Sequence, residues 1–453
     1  MKLNVIKKAS VTVLAICGEQ RYNPTSKYRI SNFVISIRQE DCILLHSCMT
    51  GEFVMVSDME SSVEYLVKHW FLVENNLDEI QMVSHIKKLM RGLSRNQEKG
   101  YKTIEIITTT DCNARCYYCY EKGFQRMSMN IETARKVAEF IINHRLNSNI
   151  HIKWYGGEPL MNTKVIDLIS EKLTDNGVVI TSSMISNGFL FSECSIKKAR
   201  DNWKLSNVRI TIDGTESVYN KTKNYKGYSE NAFEKVVNNI DNLTNAQIPV
   251  TIRLNIEKFN IDDAKSLINT LCIRYKGNKY IDFMLRPLNN TDCDNTIESS
   301  GKEREHLLNQ IIRLKFDIFN KGFDINCGKL SGMTLCTCIA DSGKYIVIKP
   351  DGGLAYCSTD FDSKSFGSIY TDTDNIPYPQ LGSYMYEKET ICEDCPLYPI
   401  CSPSKLCPSC LKPICNYTQK QYNISDIVLT MKKLYRHYKN QNNYIYYEDN
   451  RHI

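Results

Sequence analysis

Residues 103–119, TIEIITTTDCNARCYYC, decide how the chain is read. The first half, TIEIITT, is rich in β-branched residues and reads as a strand. The second half places Cys112, Cys116 and Cys119 directly after that strand, with three and then two residues between them. Cysteine thiolates are the usual ligands of iron–sulfur clusters, and a tight loop can present three of them to one cubane face. Three ligands leave the fourth iron open to an external molecule, whereas four make a closed electron-transfer centre. A zinc site fits less well, because it needs a further Cys or His close by, and neither Asp111 nor Glu121 is a convincing replacement.

Downstream, from Lys102 to about Gly322, a strand and a helix alternate six times, the pattern of parallel βαβ units. The further strands are IHIKWY (150–155), VVITSSMI (178–185), NVRITID (207–213), VTIRLNI (250–256) and YIDFMLR (280–286). Between and after them lie amphipathic stretches such as IETARKVAEFIINHR and FEKVVNNIDNL. Six units are too few for a full eight-unit barrel. The expectation is an α/β fold, a partial (β/α)6 TIM-like barrel over residues 99–326 with its functional groups at the C-terminal ends of the strands.

Those strand ends carry the next candidates. Gly156-Gly157-Glu158-Pro159 follows the second strand, where paired glycines let backbone approach a ligand and Pro stiffens the exit. Ser186-Asn187-Gly188 ends the third strand and Thr211-Ile212-Asp213-Gly214 the fourth. Arg253 and Asn255 lie on the fifth, and the planar fork of Arg253 suits a carboxylate partner.

Upstream, FVISIRQ, CILLHS and EFVMVS read as short strands. Two helical patterns follow, SSVEYLVKHWFLV and DEIQMVSHIKKLMRGL. Residues 1–98 therefore predict a small N-terminal α+β, winged-helix-like module, with the polar SRNQEKG as linker. The first residues, MKLNVIKKASVTVLAIC, carry no clear cleavage motif and read as a strand.

After Cys327 the alternation gives way to a Cys-, Pro- and Gly-rich segment, taken as a domain over 327–420 held by metal sites more than by an apolar core. A last helical stretch, SDIVLTMKKLYRHYK, belongs to a C-terminal segment of residues 421–453 whose tail, QNNYIYYEDNRHI, is expected to be loosely ordered.

Composition narrows the function. The 453 residues include 57 basic and 51 acidic side chains, well mixed, for a formal net charge of +6, unlike the basic footprint of a nucleic-acid binder. No apolar run approaches the roughly 18 to 20 residues that span a bilayer. Neither nucleic acid nor membrane is expected as a partner. The 19 cysteines, nine of them between Cys336 and Cys415, favour metal ligation over a disulfide framework, and a reducing cytoplasm is the expected compartment.

Cys112-x3-Cys116-x2-Cys119, with Tyr118 before the third cysteine, resembles the signature of the radical S-adenosylmethionine (SAM) superfamily. The resemblance implies a [4Fe-4S] cluster on these thiolates. Its open iron would chelate the amino and carboxylate groups of SAM, whose reductive cleavage gives a 5′-deoxyadenosyl radical that abstracts a substrate hydrogen. It also implies that Gly156, Gly157, Glu158 and Pro159 bind the methionine amino group and that Asn187, Thr211, Asp213 and Arg253 hold SAM, with Thr211 and Asp213 near the ribose. The family often has a His and then an Arg after the Asp-Gly, where this chain has Tyr219 and Lys223.

Cys338, Gly352, Cys357 and the run Cys392-x2-Cys395-x5-Cys401 match the SPASM extension, which binds auxiliary iron–sulfur clusters. Beyond Cys401 the spacing departs from it, with Cys407, Cys410 and Cys415 as the remaining thiols and Cys336 as an extra one. Two auxiliary [4Fe-4S] clusters are implied. A four-thiolate zinc site on Cys392, Cys395, Cys407 and Cys410 stays open.

Enzymes with this extension mostly modify peptides, and the N-terminal module resembles the precursor-recognition element of ribosomal-peptide maturases. The implied partners are a precursor peptide with its leader and an electron donor such as flavodoxin or ferredoxin. The expected reaction is hydrogen abstraction followed by a thioether, carbon–carbon or ether crosslink. The runner-up is formylglycine formation by an anaerobic sulfatase-type maturase, disfavoured because Ser358 stands where those enzymes place an Asp after the cysteine matching Cys357. A non-catalytic metal-binding interaction protein is the alternative of another class.

Overall fold

The computed structural model describes residues 3–94, 100–227, 231–288, 301–334, 342–358, 365–371, 395–401 and 417–449. Two compact units divide the chain. Unit 1 takes residues 1–97, 327–338 and 382–453, and unit 2 takes 98–326 and 339–381.

Unit 1 opens with β1 (Leu3–Lys7), α1 (Val11–Cys17), β2 (Tyr28–Ile30), β3 (Val34–Arg38), β4 (Ile43–Ser47) and β5 (Phe53–Val56). There follow α2 (Val63–Lys68), β6 (Leu72–Glu74) and α3 (Glu79–Ser94). An antiparallel sheet of order β1-β5-β4-β3 forms the centre, and β2 pairs with β6. Phe33, Leu44, Phe53, Val83 and Met90 bury one core, which Leu330, Leu397, Tyr398 and Met431 complete from far along the chain.

Two expectations need correction here. The N-terminal stretch is not one strand but β1 followed by the helix α1. The pattern over 61–73 is not one helix. Trp70 takes a left-handed φ of 64°; its N–H bonds to the Val67 carbonyl and that of Phe71 to the Leu66 carbonyl. This is a Schellman closure, rare for a bulky residue, and it turns the chain into β6. At another crossing, a Cβ on Gly51 would lie 2.5 Å from the Gly332 nitrogen, and one on Gly332 would lie 2.3 Å from that of Gly51. Met333 N–H bonds to the Met49 carbonyl beside them at 2.9 Å.

Unit 2 alternates β7 (Thr103–Thr109), α4 (Ile131–His144), β8 (Asn149–Gly156), α5 (Thr163–Asp175), β9 (Val179–Ser186) and α6 (Glu193–Asp201). It continues through β10 (Leu205–Thr211), α7 (Glu216–Lys223), α8 (Ala232–Asn245), β11 (Val250–Ile256), α9 (Ile261–Arg274), β12 (Ile281–Pro287), α10 (Gly301–Asn320) and β13 (Asp324–Ile325). Three short strands follow: β14 (Tyr345–Ile348), β15 (Gly353–Ala355) and β16 (Gly367–Ser368). The sheet order is β13-β12-β11-β10-β9-β8-β7-β14-β15-β16.

The six expected parallel strands are present, but the parallel run is longer. The two-residue β13 adds to β12, and β14 adds to β7 in the register Tyr345 to Thr103. Among the described residues the sheet stays open, with β13 and β16 as its edges. Along β10, Val208 and Ile210 are buried, while the alternate residues Asn207, Arg209 and Thr211 are half-buried on the opposite face.

The C-terminal helix α11 (Tyr417–Asp449) belongs to unit 1 and runs on through most of the tail expected to be loose. No helix among the described residues is long and apolar enough to cross a membrane.

Candidate functional site

The three cysteines lie on the loop that leaves the C-terminal end of β7, a strand buried along nearly its whole length. Hydrogen bonds from several directions hold that loop. Thr110 N–H bonds to the Met127 carbonyl at 2.8 Å, Arg115 N–H to the Lys223 carbonyl at 2.8 Å, and Lys226 N–H to the Asn113 carbonyl at 2.9 Å. The thiols of Cys112, Cys116 and Cys119 are free and half-buried. Burial pushes the Cys112 thiol up to about 12 and raises that of Cys119, so metal binding there must release protons.

The Gly-Gly turn meets this loop directly. Gly157 N–H bonds to the Thr109 carbonyl and Glu158 N–H to the Asp111 carbonyl, each at 2.9 Å. A Cβ on Gly157 would lie 2.2 Å from the Asp111 oxygen, and one on Gly156 would lie 2.2 Å from the Thr109 oxygen. Only glycines allow this approach, and Gly156 also has a φ of +121°.

Glu158 is fully buried. One carboxylate oxygen accepts from Leu160 N–H at 3.1 Å and Ser186 Oγ at 2.9 Å; the other accepts from Asn187 N–H at 2.8 Å. Desolvation pushes its carboxyl up to about 7 against those bonds. It acts as a strut between the ends of β8 and β9, and Pro159 opens the following 3₁₀ turn. Asn187 in turn reaches the cysteine loop, donating to Asn113 Oδ1 at 2.7 Å and to Cys112 Sγ at 3.7 Å.

At the next strand end, Thr211 closes β10 opposite Arg253 on β11. Asp213 is 1% exposed. One of its oxygens accepts from Asn255 N–H at 3.1 Å, and the other takes the Tyr118 hydroxyl and the Lys223 ammonium, the latter at 3.1 Å. Lys223 also donates to the Tyr118 hydroxyl at 2.9 Å. Arg253 Nε donates to Asn255 Oδ1 at 2.9 Å. Glu158, Asn187 and Asp213 therefore meet the cysteine loop directly, whereas Thr211 and Arg253 lie on the strands that lead to Asp213 and Asn255.

What the sequence reading underweighted is the Tyr118–Asp213–Lys223 group. Its only local signal is Tyr219 and Lys223 four residues apart on α7, hence on one face. Of the cysteines from Cys336 to Cys415, Cys357 lies in unit 2, and Cys395 (buried) and Cys401 (exposed) lie in unit 1. Cys336, Cys338, Cys392, Cys407, Cys410 and Cys415 lie outside the described residues.

Among the described residues no three Cys, His, Asp or Glu side chains converge as a single metal ion requires. A cubane differs, because it spreads its ligands over separate irons. The residues present fit such a cluster with a small ligand beside it. Three thiols share a loop, a glycine cradle lies alongside, and the Asn113 side-chain nitrogen is buried there without a hydrogen-bond partner among the described residues.

The radical SAM superfamily profile matches residues 106–271, which span β7 to α9 and contain every residue of this loop and cradle. The radical SAM cyclopropyl synthase TigE of Paramaledivibacter caminithermalis is 24% identical over 258 residues, 46% of this chain and 53% of TigE. The GTP 3′,8-cyclase of Clostridium perfringens is 24% identical over 269 residues, 56% of this chain and 79% of the cyclase. Among solved structures, anSMEcpe with bound AdoMet and a Kp18Cys peptide superposes with a TM-score of 0.56 at 16% identity, covering 75% of this chain and 99% of that one. The fold, the cysteine loop of β7 and the profile agree: residues 106–271 form a radical SAM domain, and the chain is an enzyme.

Proposed function

We propose that the protein is a peptide maturase, which abstracts a hydrogen from a residue of a ribosomally made precursor and installs a thioether, carbon–carbon or ether crosslink. The observation that carries this reading is a groove of about 610 Å³ in unit 1, lined by Leu3, Asn4 and Val5 of β1 together with Ser61, Ser62, Tyr65 and Tyr438. β1 is an edge of its sheet, pairing only with β5 among the described residues. An extended leader could add to such an edge through main-chain hydrogen bonds while its side chains enter the groove. anSMEcpe was solved with a peptide bound, which supports a peptide as the substrate class.

In this reading Cys112, Cys116 and Cys119 hold a [4Fe-4S] cluster and the cradle at Gly156 and Gly157 holds SAM. Cluster and SAM together supply the hydrogen-abstracting radical. The protein's own part is positional. Gly157 lets the backbone come close, Glu158 fixes Asn187, and Asp213 and Lys223 hold Tyr118 and with it the cysteine loop. Arg253 offers a planar cation for the SAM carboxylate. Two auxiliary clusters on a SPASM segment, with Cys338, Cys357, Cys392, Cys395, Cys401, Cys407, Cys410 and Cys415 as ligands, would take up the electron left after crosslinking.

Anaerobic reconstitution of the full chain tests the proposal. About twelve irons per chain are expected for three cubanes, and about four fewer in a Cys112→Ala/Cys116→Ala/Cys119→Ala variant. On reduction with SAM present, 5′-deoxyadenosine should form, and a precursor peptide encoded beside the gene should lose hydrogen mass. Formation of 5′-deoxyadenosine with GTP consumed and every peptide unchanged would overturn the maturase reading.

A further inference from the structure

Glu105 sits near the start of β7, on the strand face that carries Ile107 and not Ile104 or Ile106. Register fixes its neighbours: Lys153 on β8 and Val347 on β14 stand beside it, while Tyr155 stands beside Ile107 and Tyr345 beside Thr103. Ile107, Tyr345, Val347 and Ala355 make one apolar cluster, with Tyr155 packed against it. Glu105 is 5% exposed in this wall. The same face leads to the residue assigned above to SAM, since Tyr155 feels the charges of both Glu105 and Arg253.

Two buried carboxylates of unit 2 are held in different ways. Glu158 uses both oxygens, accepting from Leu160 N–H, Ser186 Oγ and Asn187 N–H. Glu105 Oε2 accepts from the Tyr345 hydroxyl at 2.7 Å, and Oε1 is buried with no hydrogen-bond partner among the described residues. Burial raises the Glu105 carboxyl above its usual range, against the Tyr345 bond, the Lys153 ammonium and the Ser358 side chain, which favour the ionised form. That ammonium lies 5.1 Å from the centre of the Tyr345 ring. The facing titratable groups are thus Lys153 and Tyr155 from β8 and Tyr345 from β14, with Cys357 acting on Tyr345 from the segment after β15. A strut has no use for an open oxygen, whereas a proton acceptor needs one.

We propose that Glu105 is the base of the crosslinking step, its Oε1 taking the proton that the peptide gives up as the new bond closes. This rests on the peptide-maturase reading and adds a catalytic residue to it. Hydrogen abstraction leaves a carbon radical on the peptide. Joining that carbon to a thiol, hydroxyl or aromatic group of the same peptide breaks an S–H, O–H or C–H bond, and so releases one proton and one electron. The electron goes to an oxidised auxiliary iron–sulfur cluster, reduced by one. The proton goes to Glu105, in a wall whose apolar neighbours keep bulk water from taking it. The two acceptors are neighbours in the fold: Ser358, beside the carboxylate, directly follows Cys357, assigned above to such a cluster.

The test uses the reconstituted full chain with SAM, a reductant and the precursor peptide encoded beside the gene, made fully deuterated at carbon. Mass spectrometry counts crosslinked peptide against the 5′-deoxyadenosine that has taken up deuterium. In the unaltered protein that ratio should climb as pH rises through the Glu105 titration, because only the ionised carboxylate accepts a proton. Glu105→Gln should lower the ratio by about a hundredfold and remove its pH dependence. Tyr345→Phe deletes a bond that favours the ionised form, so it should move the climb to higher pH. A carboxylate that only supports the fold would leave the climb where it is. Three results overturn the base and leave the maturase reading standing: a ratio independent of pH in the unaltered protein, a folded Glu105→Gln variant within about twofold of it, or an unmoved climb in Tyr345→Phe. The first and third hold even if Glu105→Gln fails to fold. No crosslinked peptide from the unaltered protein at any pH overturns both.

Discussion

Replacing Lys223 by Met removes the only cation among the described residues that pairs with Asp213 in its buried pocket, and leaves the rest of the packing close to its present shape. The side chains are 3% and 1% exposed, and the ammonium lies 3.1 Å from the Asp213 oxygen. It also lies 5.5 Å from the Tyr118 ring centre and 5.8 Å from that of Tyr219. Breaking a buried pair by deleting one partner typically costs about 3–5 kcal/mol, because a charge is stranded in a dry site. The bond from Asn255 N–H and the Tyr118 hydroxyl both remain to Asp213, which places the expected loss near the lower end of that range. The assay is urea unfolding of unit 2 followed by fluorescence of Trp154 and Trp203, both fully buried there. Adding Asp213→Asn should restore part of the loss, giving a coupling of about 1–3 kcal/mol in the double-mutant cycle. A loss below about 1 kcal/mol, or strictly additive variants, would refute the view that this ion pair anchors the cysteine loop.

Three further outcomes follow from the geometry. Gly157→Ala forces a Cβ to within 2.2 Å of the Asp111 oxygen; iron retained at the first cluster and SAM affinity should both fall, the latter by about tenfold or more in equilibrium dialysis. Because burial raises the Glu158 carboxyl from 4.5 to about 7, the folded state keeps a proton that the unfolded chain gives up. Its contribution to stability is therefore lost as pH rises from 4.5 toward 7, and Glu158→Gln should flatten that part of the curve for unit 2. In unit 1, Gly51→Ala and Gly332→Ala each drive a methyl into the facing backbone. Each should cost about 1–3 kcal/mol, and equal stability of either variant by thermal unfolding would contradict the close crossing.

Local features were legible in the sequence. β7 and VTIRLNI show their strand character directly, and the cysteine loop and the Gly-Gly turn are contiguous motifs whose chemistry survives in any fold that keeps them. What the sequence hid depends on distance or on a single dihedral. Tyr118 meets Asp213 across 95 residues and Lys223 across 105, and no periodicity reports such a pairing. The left-handed Trp70 ends α2 inside a continuous apolar pattern, where a glycine would have announced it. β13 has two residues and β14 four, too short for a period to register. Arg209, Arg253 and Arg286 on β10, β11 and β12 show the same limit: each is visible on its own strand, but the two-residue step from one to the next exists only in the register.

The crossing of Gly51 and Gly332 bears on how the protein is made. The chain leaves unit 2 after Asn326, returns to unit 1 for residues 327–338, goes back for 339–381 and ends in unit 1. A ribosome therefore exposes β1 to α3 long before Leu330, Leu397 and Met431 exist to close their core. Unit 1 has to wait, half-made, until the final helix has left the exit tunnel. Truncation before α11 would strip its apolar cover while sparing every residue of the β7 cysteine loop, so a fragment could keep that loop and still lose the groove beside β1.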